Sequence, residues 1–182
     1  EQYATRFKEH FGKTLAGVFT DEPNLANPFD FGPDTIPWTK RFDQVFQEEN
    51  GYELLPHLLE LVSEIGDYRR IRYDFWRTLS ERFANAYAKQ MAEWCEEHNV
   101  VLTGHVSGEE NLVADLLQTG NAFTFLQHFH IPAIDSIISK QRIVNEDFNL
   151  AGKLVTSVAE HTGAPRTLCE TYTGSGWDVS ME

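Results

Sequence analysis

The 182-residue sequence has little cysteine and no long apolar run. Two cysteines are too few for a disulfide framework, so the fold has to rest on a buried core. No stretch approaches the roughly 18 apolar residues of a membrane-spanning helix, and no membrane partner is expected. Basic residues are also scarce, since 15 stand against 28 acidic ones and the net charge is -13. Such a chain repels nucleic acid, which is therefore not expected as a partner either.

Several cofactor and catalytic motifs are absent as well. No G-x-G-x-x-G fingerprint follows a predicted strand, which argues against a dinucleotide-binding domain. No G-x-S-x-G elbow occurs, and neither cysteine has a histidine at an informative spacing, so serine or cysteine nucleophiles are not favoured. The composition that remains, 41% apolar and 13% aromatic, is typical of a globular domain with a sizeable core.

Short apolar runs alternate with amphipathic stretches along the chain. Strands are expected at 15–20, 100–106, 131–137 and 166–171, and helices at 1–13, 41–50, 54–65, 68–98, 109–117 and 149–163. The last two intervals between strand starts are each about 33 residues, the length of one strand-plus-helix unit. This alternation predicts an α/β fold with about four parallel strands and flanking helices. Four strands are half of a (β/α)8 TIM barrel, which needs ~250 residues; a small open α/β sheet is the alternative.

Both ends of the sequence suggest a segment of a longer protein. Glu1 is neither an initiator methionine nor part of a signal peptide, and residues 177–182 resemble the beginning of an element. We therefore expect residues 1–182 to form one segment of a barrel domain, in a cytoplasmic, secreted or periplasmic protein. Half a barrel leaves sheet edges exposed, so a homodimer through those edges is expected.

Ionisable residues stand at the end of every predicted strand. The strand ends carry Asp21 and Glu22, His105, Asp135, and Glu170. Catalytic groups of parallel α/β proteins gather at the carboxyl ends of strands, so these side chains are expected to share one cleft. Two glutamates on separate strands are the minimum for glycoside hydrolysis, in which one protonates the leaving oxygen and the other activates water or attacks the sugar. Asp21 alone is equally well explained as a cap or turn residue.

Strand alternation predicts which side chains face the barrel interior. In the first strand Val18, Thr20 and Glu22 are expected inside, while Phe19 and Asp21 are expected on the helix side. The same rule points the ionisable group of each of the other three strands inward.

Aromatic residues flank these strand ends. Trp38 lies in the long loop 24–40 after Glu22, and Trp177 follows Glu170 by a few residues. Aromatic faces stack on the apolar faces of sugars, so both tryptophans are candidate substrate platforms; ordinary loop packing is the alternative.

A set of short segments, in order along nearly the whole chain, resembles the catalytic barrel of family 106 glycoside hydrolases, which are α-L-rhamnosidases and related proteins. The segments are Gly17–Pro23, Pro37–Thr39, Gly51–Leu54, Ala92–His98, Leu102–His105, Ile131–Asp135 and Cys169–Thr171. The resemblance implies that Glu22 is the general acid and Glu170 the general base. It also implies inversion of configuration with calcium assistance. Asp21, His105 and Asp135 are expected to bind substrate because they stand at the same strand ends.

Two other functions fit the same residues. Glu22, His105, Asp135 and Glu170 are plausible ligands for a divalent ion, as in a metal-dependent sugar isomerase or hydrolase. A non-catalytic carbohydrate-binding or structural fragment is the third hypothesis. A measurement of tightly bound metal distinguishes the glycoside hydrolase from the metal-dependent enzyme.

Overall fold

The computed structural model of the protein describes residues 2–25, 35–136 and 150–171. The strands are β1 Gly17–Thr20, β2 Val101–Gly104, β3 Ile131–Ser136 and β4 Leu168–Thr171. The helices are α1 Gln2–Arg6, α2 Phe42–Asn50, α3 Leu58–Val62, α4 Tyr68–Phe83, α5 Gln90–Glu97, α6 Leu112–Gln118, α7 Ala122–Leu126 and α8 Ala151–Thr162. Short 3-10 turns cover Lys8–His10 and Leu55–His57, and a π-helical turn, Ala84–Lys89, joins α4 to α5.

The four strands form one parallel sheet in the order β1-β2-β3-β4. Doubly wound open sheets reverse their strand order at a switch point, whereas barrels place successive strands side by side. The sheet is curled into a half-barrel with helices along its outer face, which confirms the fold class predicted from the sequence.

Strand β1 lies unusually close to β2 at Gly104. The two strands pair from Gly17 with Val101 to Thr20 with Gly104. Gly104 has a φ of 133°, and a Cβ there would lie 2.8 Å from the Thr20 nitrogen and closer still to its carbonyl oxygen. Glycine is therefore required at the position where β2 ends and the site begins.

The main core lies between the sheet and the helices. Its buried members are Ala84, Ala88, Ala92, Cys95, Val100, Leu102, Val106, Ala122, Phe125, Leu126, Phe129 and Val158. Ala84, Ala88 and Ala92 recur every fourth residue along the π turn and α5, so this stretch presents small side chains to the core. Cys95 is a free, buried thiol in this core.

A second core cluster packs α2 against α4. It contains Phe42, Phe46, Leu54, Ile71, Phe75 and Leu79. Ile71, Phe75 and Leu79 recur every fourth residue along α4, and all three are buried, as on the inner face of an amphipathic helix. Phe42, Phe46 and Leu54 belong to the segment between β1 and α4, so this cluster packs that segment against α4.

Some element ends differ from the predictions. The helix expected at 54–65 is a 3-10 turn followed by the short α3. Helix α6 begins at Leu112 because the Asn111 side chain caps it, accepting from Val113 N at 2.8 Å. The predicted cap Asn149 lies outside the described residues. Within the described part of the chain, no helix is both long and apolar enough to cross a membrane.

Candidate active site

Ionisable side chains from all four strands meet at the carboxyl edge of the curled sheet. At their centre is His105, directly after β2, with only 1% of its surface exposed. Asp21 and Glu22 follow β1, whereas Asp135 and Glu170 stand near the ends of β3 and β4. The five predicted residues are thus brought together, and the roles assigned to them stay predictions.

The imidazole of His105 contacts carboxylates from two other strands. Its Nε2 lies 3.1 Å from Glu170 Oε2 and 3.6 Å from Asp21 Oδ1. Strand β4 is two strands away from β2 in the sheet, so the Glu170 contact spans the concave face. Between them on β3, Ala133 and Asp135 share that face, and Ala133 is small and fully buried.

The surroundings of His105 favour its protonated form. Burial alone would lower the pKa of His105, but the hydrogen bond to Glu170, the Val106 carbonyl and the charges of Glu109 and Asp135 outweigh it, and the pKa is raised. Nδ1 lies 3.4 Å from the Val106 carbonyl oxygen. An imidazolium can donate from both nitrogens at once, to this carbonyl and to Glu170.

Strand β1 has the opposite orientation from the one predicted. Val18 packs against the helix-side core, and Thr20 shares a hydrogen bond of 2.8 Å with the Tyr87 hydroxyl in the π-helical turn. Phe19 instead lies on the concave face. Its ring packs edge-on against the His105 imidazole, with 5.6 Å between the two ring centroids. On the helix side, Tyr87 provides the hydrogen-bond partner that the Thr20 hydroxyl needs.

Asp21 and Glu22 both reach the cluster, although alternation predicted that Asp21 would point away. Asp21 shares the face of Phe19 and so lies beside His105. Glu22 has a left-handed φ of 43°, which ends the strand alternation. Its carboxylate then joins His105 and Asp135 in a group whose ligand atoms lie within 4.8 Å of one another.

The other strands alternate as predicted. Asp135 of β3 is paired in register with Glu170 of β4, so both side chains face the interior. Ile134, between Ala133 and Asp135, packs with Ala151 and Val155 of α8 on the helix side.

Partial burial and nearby charges shift the pKa of the Glu22 carboxyl upward. Burial raises the pKa of its carboxyl; the positive charge of His105 opposes this, and the negative charges of Asp21 and Asp135 add to it. A carboxyl that holds its proton to higher pH can protonate a leaving group.

Glu109 is a site residue that the sequence analysis missed. The sequence predicts only a helix beginning at 109 and gives Glu109 no role in the site, yet Glu109 is only 4% exposed. Its Oε1 accepts the Asp135 backbone N–H at 2.9 Å. Burial raises the pKa of Glu109 to about 7, against the hydrogen bond from Asp135 and the charge of His105. Its position four residues after His105 was the one signal in the sequence, and it did not separate Glu109 from its neighbour Glu110.

Among the residues that the structure describes, two groups of side chains could hold a metal ion, and they share His105. One is Asp21, His105 and Glu170; the other is Glu22, His105 and Asp135. The four carboxylates supply the hard oxygen donors that calcium prefers, and the imidazole also suits a transition metal. A proton on His105 would compete with direct coordination there, so the oxygen donors fit a cation better than the imidazole does.

Of the two tryptophans predicted to stack on a sugar, only Trp38 lies within the described residues. Trp38 packs edge-on against Phe42 of α2 at 5.4 Å and remains 47% exposed. It therefore anchors its loop to the second core cluster and also presents a free part of its surface. Trp177 lies outside the described residues, as does the part of loop 24–40 between 26 and 34.

Comparisons with known proteins bear on the fold. No protein-family model and no curated protein matches the sequence. A solved structure of a rhamnosidase from Novosphingobium sp. PP1Y matches with a TM-score of 0.68 and 18% sequence identity. The match covers 98% of this chain and 16% of the rhamnosidase chain. The chain therefore shares the fold of one segment of that rhamnosidase, and at this identity the likeness concerns the fold alone.

Proposed function

We propose that this chain is half of the catalytic barrel of a glycoside hydrolase, with Glu22 as general acid and Glu170 as general base. The observation that carries the proposal is the meeting of both glutamates, from the first and last strands, around the buried His105. The fold shared with a rhamnosidase segment agrees with this assignment.

The proposed reaction uses the two carboxyls on opposite sides of the glycosidic bond. Glu22, whose pKa is raised, gives its proton to the leaving oxygen as the bond to the anomeric carbon breaks. Glu170, oriented by its hydrogen bond to His105, takes a proton from the water that attacks that carbon. Proton uptake by Glu170 and proton loss by Glu22 balance over one turnover.

The remaining cluster residues would stabilise the transition state and hold the sugar. Positive charge develops on the sugar ring, and carboxylates outnumber the single imidazolium in the cluster, so the field favours that charge. Asp21 and Asp135 are the proposed acceptors for sugar hydroxyls, and His105 is a proposed donor. Trp38 and Trp177 remain proposed platforms.

The finer assignment is an α-L-rhamnosidase related to family 106. The order of the segments that resemble this family supports it, and so does the printed activity of the structural neighbour. Calcium is the proposed cofactor, and Asp21 and Asp135, the carboxylates not assigned to proton transfer, would hold it; when bound it would supply positive charge and orient sugar hydroxyls.

A screen with nitrophenyl glycosides, α-L-rhamnoside first, tests the proposal on the full-length protein. We expect hydrolysis by the wild type and its loss in Glu170→Gln, because the amide keeps the shape but cannot accept a proton. Glu97→Gln, at an exposed position of α5, is the matched control. Wild-type turnover by a correctly folded Glu170→Gln variant removes Glu170 from the mechanism.

A metal-dependent sugar isomerase or hydrolase is the second candidate, because two carboxylate–histidine groups come within ligand distance. Elemental analysis distinguishes it. A tightly bound transition metal at one equivalent, with activity lost on chelation and no hydrolysis of glycosides, favours this candidate over the glycosidase.

A further inference from the structure

Glu109 is a buried acid outside the proposed catalytic pair. It lies in the loop between β2 and α6, where acidic residues normally face water, yet it is almost fully buried. Glutamate is rarely buried without a partner, because removing its charge from water is costly. Its burial therefore calls for an interaction that holds it inside.

That interaction links the loop to the neighbouring strand. Glu109 Oε1 accepts the backbone N–H of Asp135 at 2.9 Å, across 26 residues of sequence. The pairing between β2 and β3 covers Thr103 with Ile131 and Gly104 with Pro132. Asp135 lies beyond these pairs, so the Glu109 carboxylate takes the place of a strand partner at the end of β3.

The residue held in this way belongs to the carboxylate cluster. The ligand atoms of Asp135, Glu22 and His105 lie within 4.8 Å of one another. A shift of the Asp135 backbone would move its carboxylate away from both of the others. A misplacement of about 1 Å in an active site can lower the rate by about 100-fold.

The loop that carries Glu109 has other anchors. Ser107 Oγ donates to Gln118 Oε1 at 2.5 Å, and Thr119 Oγ1 donates to the Ser107 carbonyl at 3.2 Å. Asn111 caps α6 independently of Glu109. Removal of the Glu109 carboxylate should therefore release Asp135 without unfolding the loop.

We propose that Glu109 is a positioning residue, whose side chain holds the end of β3 and so fixes the Asp135 carboxylate within the His105 cluster. The catalytic consequence rests on the proposed glycoside hydrolase function, whereas the contact with Asp135 does not. Glu109 acts through Asp135 and is not assigned to the reacting atoms.

The test compares three variants of the full-length protein. Glu109→Ala removes the acceptor, Glu109→Gln keeps an oxygen in the same place, and Glu110→Ala changes the neighbouring acid as a control. We expect kcat to fall about 10- to 100-fold in Glu109→Ala, with KM changed less than about threefold. Glu109→Gln should have a kcat within about threefold of the wild-type value, and the kcat of the control Glu110→Ala should equal that of the wild type.

Hydrogen exchange at the Asp135 amide gives a readout that does not depend on activity. We expect exchange there to accelerate at least about tenfold in Glu109→Ala and to stay at the wild-type rate in Glu109→Gln. Unchanged exchange in a folded Glu109→Ala variant overturns the proposal. Faster exchange with unchanged kcat overturns it as well, because Asp135 would then be free to move without consequence. A wild type that hydrolyses no glycoside defeats the proposed function, and the exchange arm then decides the positioning role alone.

Discussion

At the scale of single residues, Glu22 depends on one backbone torsion. Its left-handed φ of 43° turns the chain after β1 and brings the side chain to His105 and Asp135. A left-handed conformation costs a non-glycine residue about 1–2 kcal/mol. Such strain concentrates at functional sites, and here it lets two consecutive acids, Asp21 and Glu22, reach the same cluster.

Trp38 combines an anchoring contact with an exposed surface, and a joint measurement separates these roles. Loss of the Trp38 ring in Trp38→Ala should weaken sugar binding by about 1–3 kcal/mol. The edge-on contact with Phe42 adds a stability loss of about 0.5–1.5 kcal/mol. Isothermal titration with the sugar and thermal melting measure the two effects.

The control is Trp76→Ala, because Trp76 makes a similar edge contact with Phe75 in the same core cluster. That variant should lose stability and keep its affinity. A Trp38→Ala variant that melts at a lower temperature but binds sugar unchanged in its folded fraction rejects the platform role.

Asp115 should make stability depend on pH. It accepts the Ala122 backbone N–H with both oxygens, at 2.9 and 3.2 Å. Burial raises its pKa from 3.8 to about 6, against the Ala122 hydrogen bond. The folded state therefore holds more protons than the unfolded state between these values, so the Asp115 contribution is fully present below 3.8 and is lost as pH rises through about 6.

Urea unfolding of the wild type and Asp115→Asn across this interval measures the effect. The free energy of unfolding of the wild type, relative to the variant, should decrease as pH rises and become constant above the folded pKa. A flat difference for Asp115→Asn would show that Asp115 titrates at the same pH in both states.

At the scale of elements, the junction of β1 with β2 has no room for a side chain at Gly104. Gly104→Ala should lower the free energy of unfolding by about 3 kcal/mol or more, because the new methyl group meets the Thr20 backbone and the φ of 133° is unfavourable. Chemical denaturation measures this loss. Gly152→Ala is the matched control: in α8 a Cβ meets nothing within 4 Å, so that variant should gain about 0.5–1 kcal/mol. Equal stabilities of the two variants would contradict the close approach of the strands.

The strands and the long helix could be predicted from sequence, whereas the orientation of β1 could not. The length and spacing of the apolar runs locate β2, β3 and β4. The alternation of side chains along a strand then gives the correct face for His105, Asp135 and Glu170. In β1 the decisive partner, Tyr87, comes from a helix 67 residues further along the chain. No pattern within β1 contains that information.

The inward turn of Glu109 was equally hidden. Its partner is a backbone N–H of another strand, and backbone groups look the same for every sequence. The capping hydrogen bond of Asn111 is local, yet the helix that it begins was expected to start three residues earlier, at 109. The contact of Glu109 joins distant elements, and such contacts leave no local pattern in the sequence.

At the scale of the whole molecule, the curled four-strand sheet brings β1 and β4 to opposite sides of one concave face. This separation places the two proposed catalytic glutamates on different strands with His105 between them. The chain spans 16% of the rhamnosidase with which it shares its fold. Homodimer formation through the outer edges of β1 and β4 remains a proposal.

The most direct test of the central claim measures how each glutamate variant of the full-length protein responds to the leaving group. An activated dinitrophenyl glycoside departs without a proton, whereas an alkyl glycoside needs one. Glu22→Gln should lose about 100-fold or more in kcat on the alkyl substrate and keep most of its rate on the activated one, since it lacks only the acid. Glu170→Gln should lose a similar factor on both, since each needs the attacking water. Equal losses on both substrates in Glu22→Gln, or wild-type rates in Glu170→Gln, would contradict the assignment of acid and base.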